Sequence, residues 1–389
     1  MNLLKQRSVQ TFFIIATYLF LAPYLPLDCH RSFYSISLFL KDILLWMLPF
    51  TVCTFIAHAI SSFEKRALTF VFVLIAFEAL SNLASVWYAF SCGHFAASSL
   101  HPLSSDSWND DFSPLWRLPL TRPLWWTADK GSFLGLSLGL LAALRFPSLA
   151  TPIARAKTFA EKISTRIFAK LIPLFLLGFI TKLYQTNLLK KLGVQYADFL
   201  FWLIGALVIY IFVLFWIGSK GSLSICARNI RHLLPAGSVA FSSGCSLSTM
   251  PWTIEGSAKT LQTPELARAI IPATTNIQQI GDCIANTFLC FLLYVQFMGH
   301  APSFSMWVSF SIVFVLARFA TAAVLGGAIF VMLPIYETHL HFSPEMIAII
   351  LAFNVILDPI ITSANVLANG ALCRIFEMVW VRDRKTTTT

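Results

Sequence analysis

The chain has 389 residues, 57% of them hydrophobic and only 12% charged, with a mean hydropathy of +0.73. That balance excludes a water-soluble fold and places the chain among polytopic membrane proteins. The formal charge of +10 does not point to nucleic acid, because the basic residues form short clusters between apolar spans rather than one basic surface.

Lys5 and Arg7 precede an apolar run from Val9 to Leu25. This start resembles a signal peptide, but no clear small-x-small cleavage site follows, so a retained first span is expected. A second span runs from Ser35 to Ile60, interrupted by Lys41 and Pro49. The third, from Ala67 to Phe90, carries Glu78, Ser81 and Asn82 at i, i+3 and i+4, which is one helix face. Glu78 reads either as a structural partner for a basic residue such as Lys41 or as a functional group.

From Ser91 to Lys130 the composition shifts to a polar loop with Asp106, Asp110, Asp111 and the tryptophans 108, 116, 125 and 126. The aromatics suit an interfacial belt beside an extramembrane excursion. The Asp110-Asp111 pair has no partner ligands at metal spacing and reads as solvated loop. A glycine-rich span from Gly131 to Leu144 leads into a basic connection with Arg145, Arg155, Lys157, Lys162, Arg166 and Lys170. Spans from Leu171 to Thr186 and Ala197 to Ile217 follow. The eight cysteines, at 29, 53, 92, 226, 245, 283, 290 and 373, sit mostly in apolar segments without metal-ligand spacing, and are expected to be free thiols.

Two later segments are apolar but broken by small and polar residues. One runs from Pro235 to Pro251 and contains Ser242-Ser243-Gly244-Cys245-Ser246-Leu247-Ser248-Thr249; the other, from Ser305 to Tyr336, contains Gly326-Gly327. Interrupted hydrophobic segments in matching halves are the best sequence pointer to the binding site of a secondary transporter. Each precedes a polar-striped helix. In Ile270–Phe297 the stripe is Thr275, Gln279, Asp282 and Asn286; in Met346–Cys373 it is Asp358, Thr362, Asn365 and Asn369. Both follow i, i+4, i+7, i+11, one narrow line on a helix. A carboxylate in such a line faces a bundle interior, a cavity or a substrate path. A polar seam between helices would use the same residue types, but a carboxylate, two amides and a hydroxyl in register favour a ligand site. The repeated order, broken hairpin then striped helix, suggests an internal repeat.

Eight full spans plus two re-entrant hairpins place both termini on one side. That side then holds Lys5, Arg7, Lys65, Arg66, the basic connection, Lys220, Arg228, Arg231, Lys259, Arg268, Arg382, Arg384 and Lys385, against Arg31, Arg117, Arg122, Lys130, Lys190 and Lys191 opposite. The positive-inside rule makes both termini cytoplasmic.

These residues resemble the dicarboxylate/amino acid:cation symporter family, the glutamate-transporter homologues, over most of the chain. The most specific match is Asp358-x3-Thr362-x2-Asn365-Val366, which follows the family's Asp-x3-Thr-x2-Asn-Val. Cys245-Ser-Leu-Ser-Thr249-Met-Pro251 looks like the tip of the first hairpin, and Ala323-Val-Leu-Gly326-Gly327-Ala328-Ile329 like that of the second. The resemblance implies an all-α polytopic membrane protein of eight transmembrane helices and two re-entrant hairpins, built as inverted repeats. It also implies an elevator mechanism, a homotrimer and a plasma (inner) membrane location. Residues 1–218 would be mainly scaffold and trimerisation helices, with the third and sixth moving with the transport domain and an extracellular loop at 91–130. The transport core would span 219–382: hairpin 1 at about 222–256, the seventh helix at about 265–298, hairpin 2 at about 302–336 and the eighth helix at about 344–380. Residues 383–389 would be a cytoplasmic tail.

The same resemblance assigns substrate contacts to Ser246, Ser248, Thr249, Asp282, Gly326, Gly327, Asp358, Ile361, Thr362 and Asn365. Asp358 would bind an amino group and Asn365 a carboxylate, and the hairpin tips would close over the ligand. It assigns a coupling cation to Ser81, Asn82, Thr274, Gln278, Asn365 and Asn369. Physical argument supports the first pair: a buried carboxylate prefers a cationic partner, and N–H groups at broken-helix ends favour a carboxylate.

The departures bear on substrate choice. Ile361 stands where acidic-substrate members carry arginine, so no guanidinium there can grip a side-chain carboxylate. Asp282 replaces a threonine, and a second anion repels an acidic ligand. A neutral amino acid fits, and a cationic one is allowed. Ile280 and Asn369 replace two carboxylates of the sodium sites, and Glu78-x2-Ser81-Asn82 puts a carboxylate where the family has tyrosine. Coupling is therefore expected through Na+ or H+, with Asp282, Asp358 and Glu78 as the available carriers if protons couple, and no other cofactor. Arg318, about six residues before the second tip, is expected either to pair with Asp282 near a lost cation site or to snorkel to the interface. A membrane enzyme is the runner-up class, but the eight histidines are dispersed and complete no catalytic cluster. Concentrative uptake separates a carrier from a channel, and binding without flux would mark a sensor.

Overall fold

The computed structural model describes residues 14, 16–61, 68–98, 112–118, 123, 126, 128–163, 169–185, 188–244, 246–275, 277–321 and 328–386. Among them every regular element is helical. The principal helices are α1 Leu27–Ser61, α2 Leu68–Ala97, α3 Ala128–Leu144, α4 Ala150–Ile163, α5 Ala169–Gln185, α6 Leu188–Gly218 and α7 Leu223–Ser243. They continue with α8 Ser246–Ala258, α9 Glu265–Thr274, α10 Ile280–Met298, α11 Phe304–Thr321, α12 Ala328–Leu340 and α13 Pro344–Thr386. Among the described residues four stretches are long and apolar enough to cross a membrane: Phe72–Ala97, Asp198–Gly218, Ile280–Met298 and Ile356–Trp380.

The chain divides into two compact units. The first comprises Met1–Ala67, Leu100–Ala197 and Leu293–Val355. Within it α3 packs closely on α1 because Gly131 and Gly135 present no side chain. A β-carbon at either position would lie 2.5 Å from a carbonyl oxygen, of Pro49 or Cys53 respectively. Small residues one turn apart are how membrane helices bring backbones together. Two of the tryptophans expected near the interface are tied to α1, Trp108 and Trp125 lying outside the described residues: Trp116 N donates to Ser35 Oγ at 3.1 Å, and Trp126 Nε1 donates to Trp46 O at 2.7 Å. Lys182 of α5 pairs with Glu345 and also donates to Tyr34 Oη at 3.3 Å, so its buried charge is answered twice. Trp307, Phe310 and Phe314 of α11 pack with Tyr336 and Phe342.

The second unit comprises Leu68–Ser99, Asp198–Leu292 and Ile356–Thr389. The segment from Pro235 to Pro251 is here the turn of a helical hairpin, α7 and α8. Gly244 ends α7 in the left-handed region (φ 57, ψ 27), donating its N–H to Ala240 O at 2.9 Å. Glycine takes that conformation without the β-carbon penalty, which is why the turn sits there. The hairpin lies on α13, where Ser363 Oγ donates to Gly237 O at 3.0 Å and the Leu233 side chain covers Gly370. At the other end Glu377 ties α13 to the α8–α9 connection. It accepts from the backbone N–H of Gln262 (3.0 Å) and Thr263 (2.6 Å) and pairs with Arg374. Phe70 and Phe77 of α2 meet Phe376 edge-on.

Three expectations change. The polar loop placed from Ser91 begins later, because α2 continues to Ala97. Arg318 does not snorkel: it is 2% exposed, with its guanidinium 5.1 Å from the Phe314 ring. Ile270–Phe297 is not one helix, for it breaks between Thr274 and Ile280. Pro272 removes a backbone donor, and the Thr274 and Thr275 hydroxyls bond back to Ile270 O (2.9 Å) and Ile271 O (2.6 Å), loosening the turn. Thr275 and Gln279 therefore leave the helical line that Asp282 and Asn286 keep.

Candidate functional site

The break between α9 and α10 is the centre of the polar cluster in the second unit. A broken helix leaves peptide groups without intrahelical partners, and buried ones must be satisfied. Two asparagines do this. Asn82 of α2, fully buried, donates from Nδ2 to Ile277 O at 3.0 Å and accepts from Gln279 N at 3.2 Å. Asn365 of α13 accepts at Oδ1 from Gly281 N (2.8 Å) and Asp282 N (3.3 Å), capping the start of α10. Gly281 is needed there, since a β-carbon would lie 2.5 Å from Ile361 O.

The other amide edge of Asn365 meets the Asp282 carboxylate, with Nδ2 donating to Oδ2 at 2.7 Å. Asn286, one turn on, donates to Asp282 O at 3.0 Å and to its Oδ1 at 3.5 Å. Asn369, one turn beyond Asn365, accepts from Thr274 Oγ1 at 2.7 Å. Gln278 is also buried. With its amide turned to suit both partners, it donates to Asn365 O at 2.9 Å and accepts from Ile280 N at 3.2 Å. The stripe on α13 thus faces the break as its spacing requires.

Asp358 stands two turns before Asn365 on the same face, against the turn of the α7–α8 hairpin. A β-carbon at Gly244 would lie 3.1 Å from its Oδ2. Ile361 and Thr362 beside it are buried, the first offering only apolar surface. Thr249 in α8 is fully buried and Ser246 partly so, whereas the side chain of Ser248 lies outside those described. Gly326 and Gly327, the expected second tip, also lie outside the described residues. Ser81 is half-buried on α2. Glu78 is 1% exposed, and its Oε2 has no hydrogen-bond partner among the described residues. Arg318 belongs to the first unit.

Three of the groups expected to hold a cation are thus committed to hydrogen bonds within the cluster. Thr274 bonds Asn369, Gln278 bonds the Asn365 carbonyl, and Asn82 bonds the break itself. Sequence reasoning missed Gly244, whose contact with Asp358 needs the folded hairpin, and the peptide groups of Ile277 and Gly281, which no side-chain pattern marks.

A scan against protein families matches residues 132–378 to the sodium:dicarboxylate symporter family. The chain belongs to that family. The match spans the hairpin, the broken helix and the striped helix, while α2 with Glu78 and Asn82 precedes it. None of the curated proteins searched matches the chain significantly. As a sodium:dicarboxylate symporter family member the protein is a cation-coupled secondary transporter with a small-molecule substrate and a place in a lipid bilayer. The family implies a coupling ion such as Na+ and places the protein among transporters.

Proposed function

We propose that this symporter carries an amino acid with a neutral side chain into the cell, driven by a cation gradient. The observation that carries the reading is Asp358, held against the Gly244 turn with buried Ile361 and Thr362 beside it. A largely buried carboxylate in a membrane protein calls for a cationic partner, and the substrate's amino group supplies it. Ile361 gives the side chain an apolar wall and no grip on a second carboxylate.

The substrate carboxylate goes to Asn365. Its Nδ2 holds Asp282 at 2.7 Å, so an arriving carboxylate takes the place of one already there, and the break opens and recloses around the exchange. Ser246, Ser248 and Thr249 close from the first hairpin and Gly326 and Gly327 from the second. In this reading the chain has eight spans and two re-entrant hairpins and forms a homotrimer in the plasma (inner) membrane. Both termini are cytoplasmic, and the transport core moves as an elevator.

Uptake of labelled neutral, cationic and acidic amino acids into proteoliposomes tests it, with an imposed sodium gradient and, separately, a proton gradient. Concentrative uptake of a neutral amino acid is expected. Concentrative uptake of aspartate, glutamate or a dicarboxylate instead would overturn the specificity and leave the carrier role standing.

A further inference from the structure

Glu78 lies in Phe72–Ala97, a stretch able to cross a bilayer, and is 1% exposed, with Oε2 unpartnered among the described residues. A carboxylate so placed is costly unless a cation or a proton answers it. Its surroundings decide between the two. Leu74, one turn before it on the same face, packs with Ile270 and Ile271 of α9 and with Cys373 and Phe376 of α13. Asn82, one turn after it, is committed to Ile277 and Gln279, and Thr274 is committed to Asn369.

A hard cation needs several oxygen ligands at once. Here the side-chain oxygens of Asn82 and Thr274 are already committed to hydrogen bonds, and the cluster around Leu74 is apolar. Among the described residues no group of three or more His, Cys, Asp or Glu could hold a metal ion. A proton needs a single oxygen, and Glu78 has one free.

Few other titratable groups face this point. On α13 there is the Cys373 thiol, within electrostatic reach of Glu78, and a turn further Glu377, already engaged by Arg374 and two backbone N–H groups. On α9 the charged side chains, Glu265 and Arg268, are exposed. On α8 Glu255 is exposed and paired with Lys259. On α2 itself Tyr88, Cys92 and His94 lie at least ten residues away.

We propose that Glu78 is the site of the co-transported proton, so that the gradient this symporter uses is a proton gradient. The inference rests on the transport reading above. One O–H bond forms at the Glu78 carboxylate when the proton enters and breaks when it leaves; no other bond changes. As the acid, Glu78 fits its dry setting and α2 holds Asn82 on the break. As the carboxylate, it draws water into the cluster and loosens that clamp, so loading of the proton and closure of the site occur together.

The test uses the full chain in proteoliposomes with twenty labelled amino acids, measuring both solute exchange at equal pH and accumulation under a pH gradient. A gradient of about one pH unit should drive accumulation of up to about tenfold. Glu78→Gln should abolish that accumulation and make exchange independent of pH, whereas Glu78→Asp, which keeps the acid, should retain it. Infrared difference spectra across a pH titration should show a carboxylic-acid carbonyl band that Glu78→Gln removes. Size-exclusion profiles establish that each variant folds. Exchange in the native protein without pH-driven accumulation, or accumulation surviving in Glu78→Gln, would overturn the proposal while leaving the carrier reading intact. Absence of exchange for every solute would overturn the carrier reading, and the infrared band alone would then decide the proton site: its persistence in Glu78→Gln removes it.

Discussion

Replacing Asn82 with leucine keeps the volume on α2 and removes both hydrogen bonds to the α9–α10 break. The peptide C=O of Ile277 and N–H of Gln279, now bonded at 3.0 and 3.2 Å, lose their partner. Each net hydrogen bond is worth about 1 kcal/mol, and an orphaned group costs about 1–3 kcal/mol when fully buried. Ile277 and Gln279 are half-buried, so water recovers part of the loss and the lower figure applies, giving about 2 kcal/mol for the pair. At about 1.4 kcal/mol per factor of ten, local opening of the break becomes about 30-fold more frequent. Hydrogen exchange read by mass spectrometry on peptides covering 275–282 should report that increase, while peptides from α6 stay as they were. Unchanged protection at the break in a folded Asn82→Leu protein would refute the view that α2 braces it.

Gly244→Ala forces a β-carbon into the left-handed region, at about 1–2 kcal/mol, and points it at Asp358 Oδ2; substrate affinity should fall more than thermal stability, and native affinity would mean that the hairpin turn does not adjoin the substrate. Glu377→Ala leaves Arg374 and the N–H groups of Gln262 and Thr263 without their acceptor. Removing one partner of such a buried pair costs about 3–5 kcal/mol, so the melting temperature in detergent should drop clearly, and a drop no larger than for an exposed substitution would count against that anchoring. Gly135→Leu drives a side chain into the Cys53 backbone, and overpacking of this kind costs about 1–3 kcal/mol. The yield of monodisperse protein should fall accordingly.

Much of the site was legible because helical periodicity is a local rule. Asp358, Thr362, Asn365 and Asn369 had to share one face of any helix containing them, and that face does meet the polar break. The family resemblance put the first hairpin tip at Cys245–Pro251, directly after the glycine that ends α7 in the left-handed region. The same rule failed in Ile270–Phe297, where an equal spacing suggested a continuous stripe and the helix breaks after Thr274. Periodicity presumes an unbroken helix and cannot report that its peptide groups have better partners elsewhere.

The sequence by itself determined the membrane class, the family motif on α13, the position of the first hairpin turn and the loss of the arginine at Ile361. The first follows from composition, and the others from short motifs that resemble those of the family. Only the tertiary structure decided that Asn82 clamps Ile277 from 195 positions away, that Asn365 caps Gly281 across 84, and that Glu78 is left with an unanswered oxygen. Those outcomes depend on which side chains reach an exposed peptide group first, and chain folding settles that between elements distant in sequence.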